Sequence, residues 1–317
     1  MKIIRNSEET PETPSIVTFG VFDGLHLGHQ LIMRSVVDRA RETGFAPTVV
    51  TFDPHPRAVL HPESAPPLLQ TFVQKMNGLE QLGISQTIVL KFDEELSRVS
   101  AVDFLRGSIF GRLDAREVFL GHGFAFGHNR EGNFDLLMRT AASLGRKAIE
   151  APEVMLRKQR VSSTMIRRLL SAGRVNLARR MLGRPYGVES RVIEGRKIAR
   201  TQLDYATANL KPHNCVLPAA GVYVTLTFVD AQWRRSVSNV GYKPTFGGDA
   251  EVTLESHVMD FSREIYGEKI RVRFLHRIRN EIKFESVDIL RAQIARDYAV
   301  AEQYFKSALV SRTLQFL

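Results

Sequence analysis

The chain has one cysteine, Cys215, and one tryptophan, Trp233, among 317 residues. A single thiol cannot close an intramolecular disulfide, and it leaves little basis for a cysteine-built metal centre. No apolar run approaches the roughly 20 residues that a membrane-spanning helix needs. The opening MKIIRNSEETPETP lacks the apolar stretch of a secretory signal, so the cytoplasm is the expected compartment. Acidic residues are in the minority: 34 Asp and Glu against 44 Lys and Arg give a formal charge of +10. That balance suits a protein handling polyanions, whether nucleotides or nucleic acid, and equally one whose basic surface serves only solubility. With 44% hydrophobic residues at this length, there is material for two domains and at least one substantial core.

What is present is concentrated first in Ser15 to Gln30, SIVTFGVFDGLHLGHQ. Ile16, Val17, Phe19, Val21 and Phe22 read as a buried strand, Asp23-Gly24 as a tight turn, and His26-Leu27-Gly28-His29 as the opening of a helix. Strand, glycine turn and helix start is how α/β proteins aim backbone N–H groups at phosphate. His26 and His29 fall on one side of a first helical turn, and Gly28 is expected to leave room for a ligand at the backbone. An isolated H-x-G-H is also found as a pair of histidines on a surface turn. The strand before it and the helix after it favour a grip on a nucleoside triphosphate.

Ile32, Val36 and Ala40 at four-residue spacing predict a helix over 30–42, and 46–52 reads as a second buried strand. This is a βαβ unit, whose ligand crevice lies at the carboxyl ends of its strands. His55, between two prolines, stands at such an end, either as a positioned ligand group or as a loop histidine. A loop over 62–71, a helix over 72–82, strands over 85–92 and 116–120 and a helix over 101–110 continue a doubly wound pattern. The glycine-rich stretch 121–133 implies a backbone packed close to something, or a plain surface loop. In Arg160 to Arg168, Ser162 is a candidate N-cap, and Ser163, Thr164 and Arg167 gather at the positive end of a helix, an arrangement able to hold phosphate oxygens. After LGRPY (182–186) the alternation of strand and helix stops. Short β-rich runs over 220–229, 233–240, 251–259 and 269–275 predict an antiparallel barrel, and Leu290, Ile294 and Tyr298 a closing helix over 287–305.

Taken in order, these motifs resemble the prokaryotic bifunctional riboflavin kinase/FMN adenylyltransferase family, also called FAD synthetases, a branch of the H-x-G-H nucleotidyltransferases. The resemblance runs from Ile16 to Phe305. It is carried by GVFDGLHLGH (20–29), TFDPHP (51–56), FGHNREGN (126–133), VSSTMIR (161–167), LGRPY, GVYV (221–224), NVGYKPTFGG (239–248), EIYGEKIRVRF (264–274), RNEIKF (279–284) and Gln293-Ile294-x-x-Asp297. It implies an α/β fold: an N-terminal doubly wound, Rossmann-like nucleotidyltransferase domain over 1–184, then a C-terminal antiparallel β-barrel riboflavin kinase-like domain with a terminal helix over 185–317. The implied substrates are ATP, FMN and riboflavin, with Mg²⁺ as cofactor; no membrane partner is implied, and nucleic acid is not the expected one.

By the same resemblance His26, His29 and His55 are catalytic in adenylyl transfer, and Gly20, Phe22, Asp23, Gly24, Gly28, Ser163, Thr164 and Arg167 bind ATP. Thr207 and Asn209 hold Mg-ATP in the kinase, and Glu255 deprotonates the riboflavin 5′-hydroxyl. Two stretches depart from the family pattern. The kinase phosphate loop, approximately H-G-x-x-x-G-R-x-x-G-F-P-T-A-N in the family, reads EGRKIARTQLDYATAN over 194–209, with Ala199 and Asp204 at glycine positions and Ala206 for proline. Losing glycine where φ is positive costs on the order of 1 kcal/mol, so a weak kinase is expected. Gly123 stands where the family has Asp or Asn, and weaker adenylyl transfer is expected. A paralogue that binds flavin, nucleotide or RNA as a regulator, without turnover, is the alternative these changes leave open.

Overall fold

Apolar runs in the first half fall on six parallel strands, and those in the second on a closed barrel, in a computed structural model that describes residues 1–5, 13–194, 207–212, 215–244 and 250–307. The chain divides into two compact units, Met1–Ser163 and Thr164–Leu317.

The first unit comprises β1 (Lys2–Arg5), β2 (Ser15–Phe19), α1 (Leu27–Thr43), β3 (Ala46–Asp53), α2 (Pro56–Leu60), α3 (Phe72–Gln81), β4 (Gln86–Lys91), α4 (Glu94–Ser97) and α5 (Ala101–Asp103). A π-helical stretch, Phe104–Arg112, continues α5, so the helix predicted over 101–110 is present but wider-wound than expected. There follow β5 (Ala115–Gly121), α6 (Phe134–Ser143), β6 (Lys147–Ala151), the hairpin β7 (Met155–Leu156) with β8 (Gln159–Arg160), and the start of α7 (Ser163–Ser171).

The strand order is β1-β4-β3-β2-β5-β6, every pair parallel. From β2 the chain steps outward through β3 to β4, then returns to place β5 on the other side of β2. The order therefore reverses between β2 and β5, which is where open parallel sheets bind ligands. Alternating residues of each strand feed two cores. Val17, Phe19, Val50 and Leu120 pack under Phe104, Leu105, Ile109 and Leu137. Ile16, Val49 and Phe119 pack under Met33, Val36 and Val37 of α1 and Leu79 of α3. Arg39 of α1 closes a two-pronged bond on the buried Glu117 of β5 at 2.7 Å on both arms, fastening helix to strand across the reversal. That guanidinium holds the Glu117 carboxyl below its ordinary range.

The strand expected to run to Phe22 ends at Phe19, because Gly20 turns the chain and Phe22 takes a left-handed φ of 51°. β1, with one buried residue in four, and β6, with one in five, carry too little apolar pattern to be read beforehand; α6 buries Leu137, Thr140 and Ala141 and the helix over 175–182 buries Val175, Ala178, Met181 and Leu182, a helical spacing that sequence reasoning missed.

The second unit continues α7 and adds α8 (Val175–Leu182), β9 (Tyr186–Ile193), β10 (Thr207–Leu210), β11 (Gly221–Val229), β12 (Gln232–Pro244), β13 (Ala250–Val258), β14 (Lys269–Asn280) and α9 (Val287–Lys306). Six strands close in the order β10-β13-β12-β11-β14-β9, all pairs antiparallel. Outside the barrel, α9 covers Val222, Val224, Leu226, Val237 and Leu275. Asp297 of α9, 4% exposed, is gripped by the Arg279 fork at 2.8–3.0 Å and by Gln293 at 2.9 Å, which accounts for the Q-I-x-x-D spacing.

Inside the barrel, Tyr223, Leu254 and Phe274 are joined by hydroxyls. Thr225, Thr227, Ser236, Ser238 and Ser256 are all fully buried and form a closed ring of hydrogen bonds, 225 to 236 to 227 to 256 to 238 and back, at 2.7–3.0 Å. Each hydroxyl can donate once and accept once within it. Ser256→Ala is expected to strand one donor and one acceptor and to cost about 1–3 kcal/mol, read as a lower urea midpoint for the second unit.

Candidate active sites

His26 caps α1: its Nδ1 accepts the His29 backbone N–H at 3.3 Å. One turn on, the two imidazoles stack face to face, with centroids 3.6 Å apart and planes 19° from parallel. Phe22 meets the His29 ring edge-on at 5.2 Å. A Cβ on Gly28 would lie 3.2 Å from Cε1 and Nδ1 of His26, so the missing side chain makes room for that imidazole. Gly28→Ala is expected to leave the thermal midpoint within a few degrees, since alanine gains helix propensity. By displacing the ring it is expected to lower FAD formation about ten- to 100-fold.

The turn between β2 and α1 is held from several sides. Asp23 is 6% exposed, and its carboxylate accepts the Leu69 N–H at 3.0 Å; Gln70 Nε2 donates to the Phe22 carbonyl at 3.0 Å. Gly20 is packed against the Phe22 ring, 3.0 Å from where its Cβ would stand, and Gly24 turns with φ 88°. Ser163 Oγ donates to the Asp23 carbonyl at 2.8 Å, which brings the start of α7 to this turn; Thr164 and Arg167 follow on that helix. His55 caps α2 at the end of β3, the strand beside β2, with its Nδ1 accepting Arg57 N–H at 3.1 Å.

One cation here was not anticipated. Lys75 of α3 donates to the Val21 carbonyl at 3.3 Å and to Thr51 Oγ1 at 3.2 Å. Burial lowers its pKa, with the charges of Asp23 and Asp53 opposing. It places positive charge beneath the turn, and its only sequence signal is a lysine between the buried turns of α3.

The glycine-rich loop leaves β5 on the other side of the reversal. Phe124 and Phe126 meet Phe19 edge to face at 6.0 and 5.0 Å, which anchors the loop on the sheet. Two of its glycines approach Ala101: a Cβ on Gly127 would stand 2.6 Å from it and one on Gly132 2.8 Å.

In the second unit, register gathers the residues expected for the kinase. Asn209 of β10 stands opposite Glu255 of β13, and Thr207 opposite His257. Directly opposed residues share a face, with Cβ atoms about 4.5–5.5 Å apart. Because Leu254, Ser256 and Val258 point into the barrel, Glu255 and His257 lie on its outer wall. Asn239 of β12 faces Glu255 from the other side, and the His257 ring meets Tyr298 of α9 at 5.2 Å. His257 and Asn239 complete a patch that sequence reasoning missed, although the period-two spacing of Glu255 and His257 was there to be read. The substitutions at Ala199, Asp204 and Ala206 lie outside the described residues.

Models of two families match: FAD synthetase over residues 8–165 and riboflavin kinase over 182–305. The bifunctional riboflavin kinase/FMN adenylyltransferase of Haemophilus influenzae is 37% identical over 292 residues, spanning 92% of this chain and 94% of that protein. The chain belongs to the bifunctional riboflavin kinase/FMN adenylyltransferase family. The Escherichia coli K12 member is 31% identical and spans 96% of this chain and 98% of its own. A crystal structure described as a macrolide-efflux protein from Streptococcus pneumoniae is 30% identical, with a TM-score of 0.87 over 95% of this chain and 99% of that one. Among the described residues no helix is long and apolar enough to cross a membrane.

Within this family the change at Gly123 takes on a conformational meaning. Its φ is +67°, the left-handed region that glycine, asparagine and aspartate tolerate best, so the exchange keeps the backbone path. The Arg160 guanidinium lies 3.7 Å from where a Cβ would stand, so a side chain at 123 would rest against that cation.

Proposed function

We propose that the chain makes FAD in two steps. The second unit transfers the γ-phosphoryl group of ATP to the 5′-hydroxyl of riboflavin, and the first transfers the adenylyl group of ATP to the resulting FMN, releasing pyrophosphate. The observation that carries the reading is the stacked His26–His29 pair at the N-terminus of α1, beside the reversal of strand order. Matches to both family models favour catalysis over a regulator that only binds.

In adenylyl transfer an FMN phosphate oxygen attacks the α-phosphorus as the bond to the β-phosphate oxygen breaks. The attacking group is already anionic, so positioning and charge stabilisation do the work. His26, His29 and His55 would donate to phosphate oxygens, with Gly20, Phe22, Asp23, Gly24 and Gly28 shaping the turn. Ser163, Thr164 and Arg167 would hold the triphosphate. In the kinase step Glu255 would take the hydroxyl proton as the oxygen attacks the γ-phosphorus and ADP leaves. Thr207 and Asn209 offer a hydroxyl and an amide oxygen two residues apart on one face, donors that fit a hard cation such as Mg²⁺. When bound, Mg²⁺ would offset phosphate charge.

The test is incubation with FMN, MgATP and labelled pyrophosphate, followed in both directions. FAD formation and exchange of label into ATP are expected; absence of both overturns the first-unit reading. Riboflavin in place of FMN should give FMN before FAD, and its failure confines the activity to the first unit.

A further inference from the structure

A second concentration of positive charge, away from the residues assigned above, lies on the outer wall of the barrel. Arg271 and Arg273 alternate along β14, so they share a face and stand about 7 Å apart along the strand. Phe228 is directly opposite Arg271, and Trp233 is directly opposite Phe228. The guanidinium of Arg271 lies over the Phe228 ring at 4.0 Å and that of Arg273 over the Trp233 ring at 4.2 Å. On the far side Arg273 faces Gly187, which leaves space for its stem: a Cβ there would come within 3.1 Å of Arg273 Cγ. The ring beneath a guanidinium accepts no N–H, so its donors stay available to another partner.

Among the described residues no such partner is found. Neither Arg271 nor Arg273 has an ion pair or hydrogen bond among the described residues, and the carboxylate opposite Arg271, Glu189, is engaged by Lys269 at 2.6 Å. Other arginines of this unit differ: Arg263 is held by Glu268 at 2.6 Å and by Asp230, and Arg279 by Asp297 at 2.8 Å. Burial, then the charges of Arg271 and Arg184, push the Arg273 pKa down to about 10. A cation crowded by like charges is one that a bound anion relieves.

We propose that Arg271 and Arg273, on their Phe228–Trp233 platform, form a binding site for an oligophosphate, either pyrophosphate or the phosphate tail of a nucleotide. Two forks spaced along a strand suit at least two linked phosphoryl groups, each taken by in-plane N–H donors. Pyrophosphate is also the product released by the proposed adenylyl transfer, but the site is argued from the barrel wall alone.

Trp233 is the only tryptophan in the chain and reports on the site directly. Titration of the full chain with pyrophosphate at constant ionic strength is expected to change its emission saturably and to shield it from acrylamide. Arg271→Gln and Arg273→Gln should each weaken the apparent affinity about ten-fold or more, and Arg271→Lys by less. The same titration in a His29→Ala background should be unaltered, which separates this site from adenylyl transfer. ATP binding more tightly than pyrophosphate would assign the site to nucleotides; equal affinity would assign it to the phosphates alone. Absence of a saturable change with either anion overturns the proposal, as does an affinity untouched by both glutamine variants. Should a variant lose its native circular dichroism, the wild-type quenching decides: shielding by pyrophosphate but not by chloride upholds the site, and no shielding overturns it.

Discussion

His29→Ala is expected to slow FAD formation from FMN and ATP about 100- to 1,000-fold, the usual loss when one donor to a developing phosphate charge is removed. His29 is the better residue to replace. His26 also caps α1, through Nδ1 and the His29 N–H at 3.3 Å, so removing it would mix a loss of about 1 kcal/mol of helix stability with the loss of chemistry. The His29 ring packs on His26 and Phe22 without carrying that cap. Turnover measured with supplied FMN, beside an unchanged circular dichroism spectrum, isolates its part in the chemistry. A rate within ten-fold of the native chain would make the stack a packing feature.

The second large effect belongs to Glu255→Gln. The amide keeps the shape and can still hydrogen bond, but it cannot take the proton of a hydroxyl nucleophile, so phosphorylation of riboflavin should fall about 100- to 10,000-fold. FAD formation from supplied FMN should be unaffected, because Glu255 sits on β13 of the second unit while His26 and His29 sit on α1 of the first. Parallel assays with riboflavin and with FMN show whether the loss is confined to one reaction. Equal losses in both would mean that the variant has disturbed folding instead.

Much of this arrangement is legible in the residues. Parallel strands buried on both faces read as unbroken apolar runs, so β2, β3, β4 and β5 were found within a residue or a few, and the short strands after residue 186 announced the barrel. The histidine pair was legible because three-residue spacing puts both rings on one turn of a helix. What the sequence hid was of two kinds. Elements with little apolar surface, such as β1 and β6, take their place because a neighbouring strand offers a hydrogen-bonding edge, and their own residues hardly mark it. The meaning of single residues was hidden as well. The contact of the Gly28 position with the His26 ring is one such meaning, and Asn239 joins Glu255 only through a strand register that no local pattern encodes.

The five hydroxyls inside the barrel have a further consequence. Thr227 donates to Ser236 and Ser238 to Ser256, and these two bonds set the sense of the whole ring: Ser256 then donates to Thr227, Ser236 to Thr225 and Thr225 to Ser238. Each hydroxyl polarises the next, so the ring is cooperative. Around it the bond dipoles run head to tail and largely cancel. The barrel thus holds polar chemistry at its centre while remaining electrically quiet. Glu255, next in sequence to the ring's Ser256 but facing outward, receives its electrostatic surroundings from the outer wall and whatever binds there.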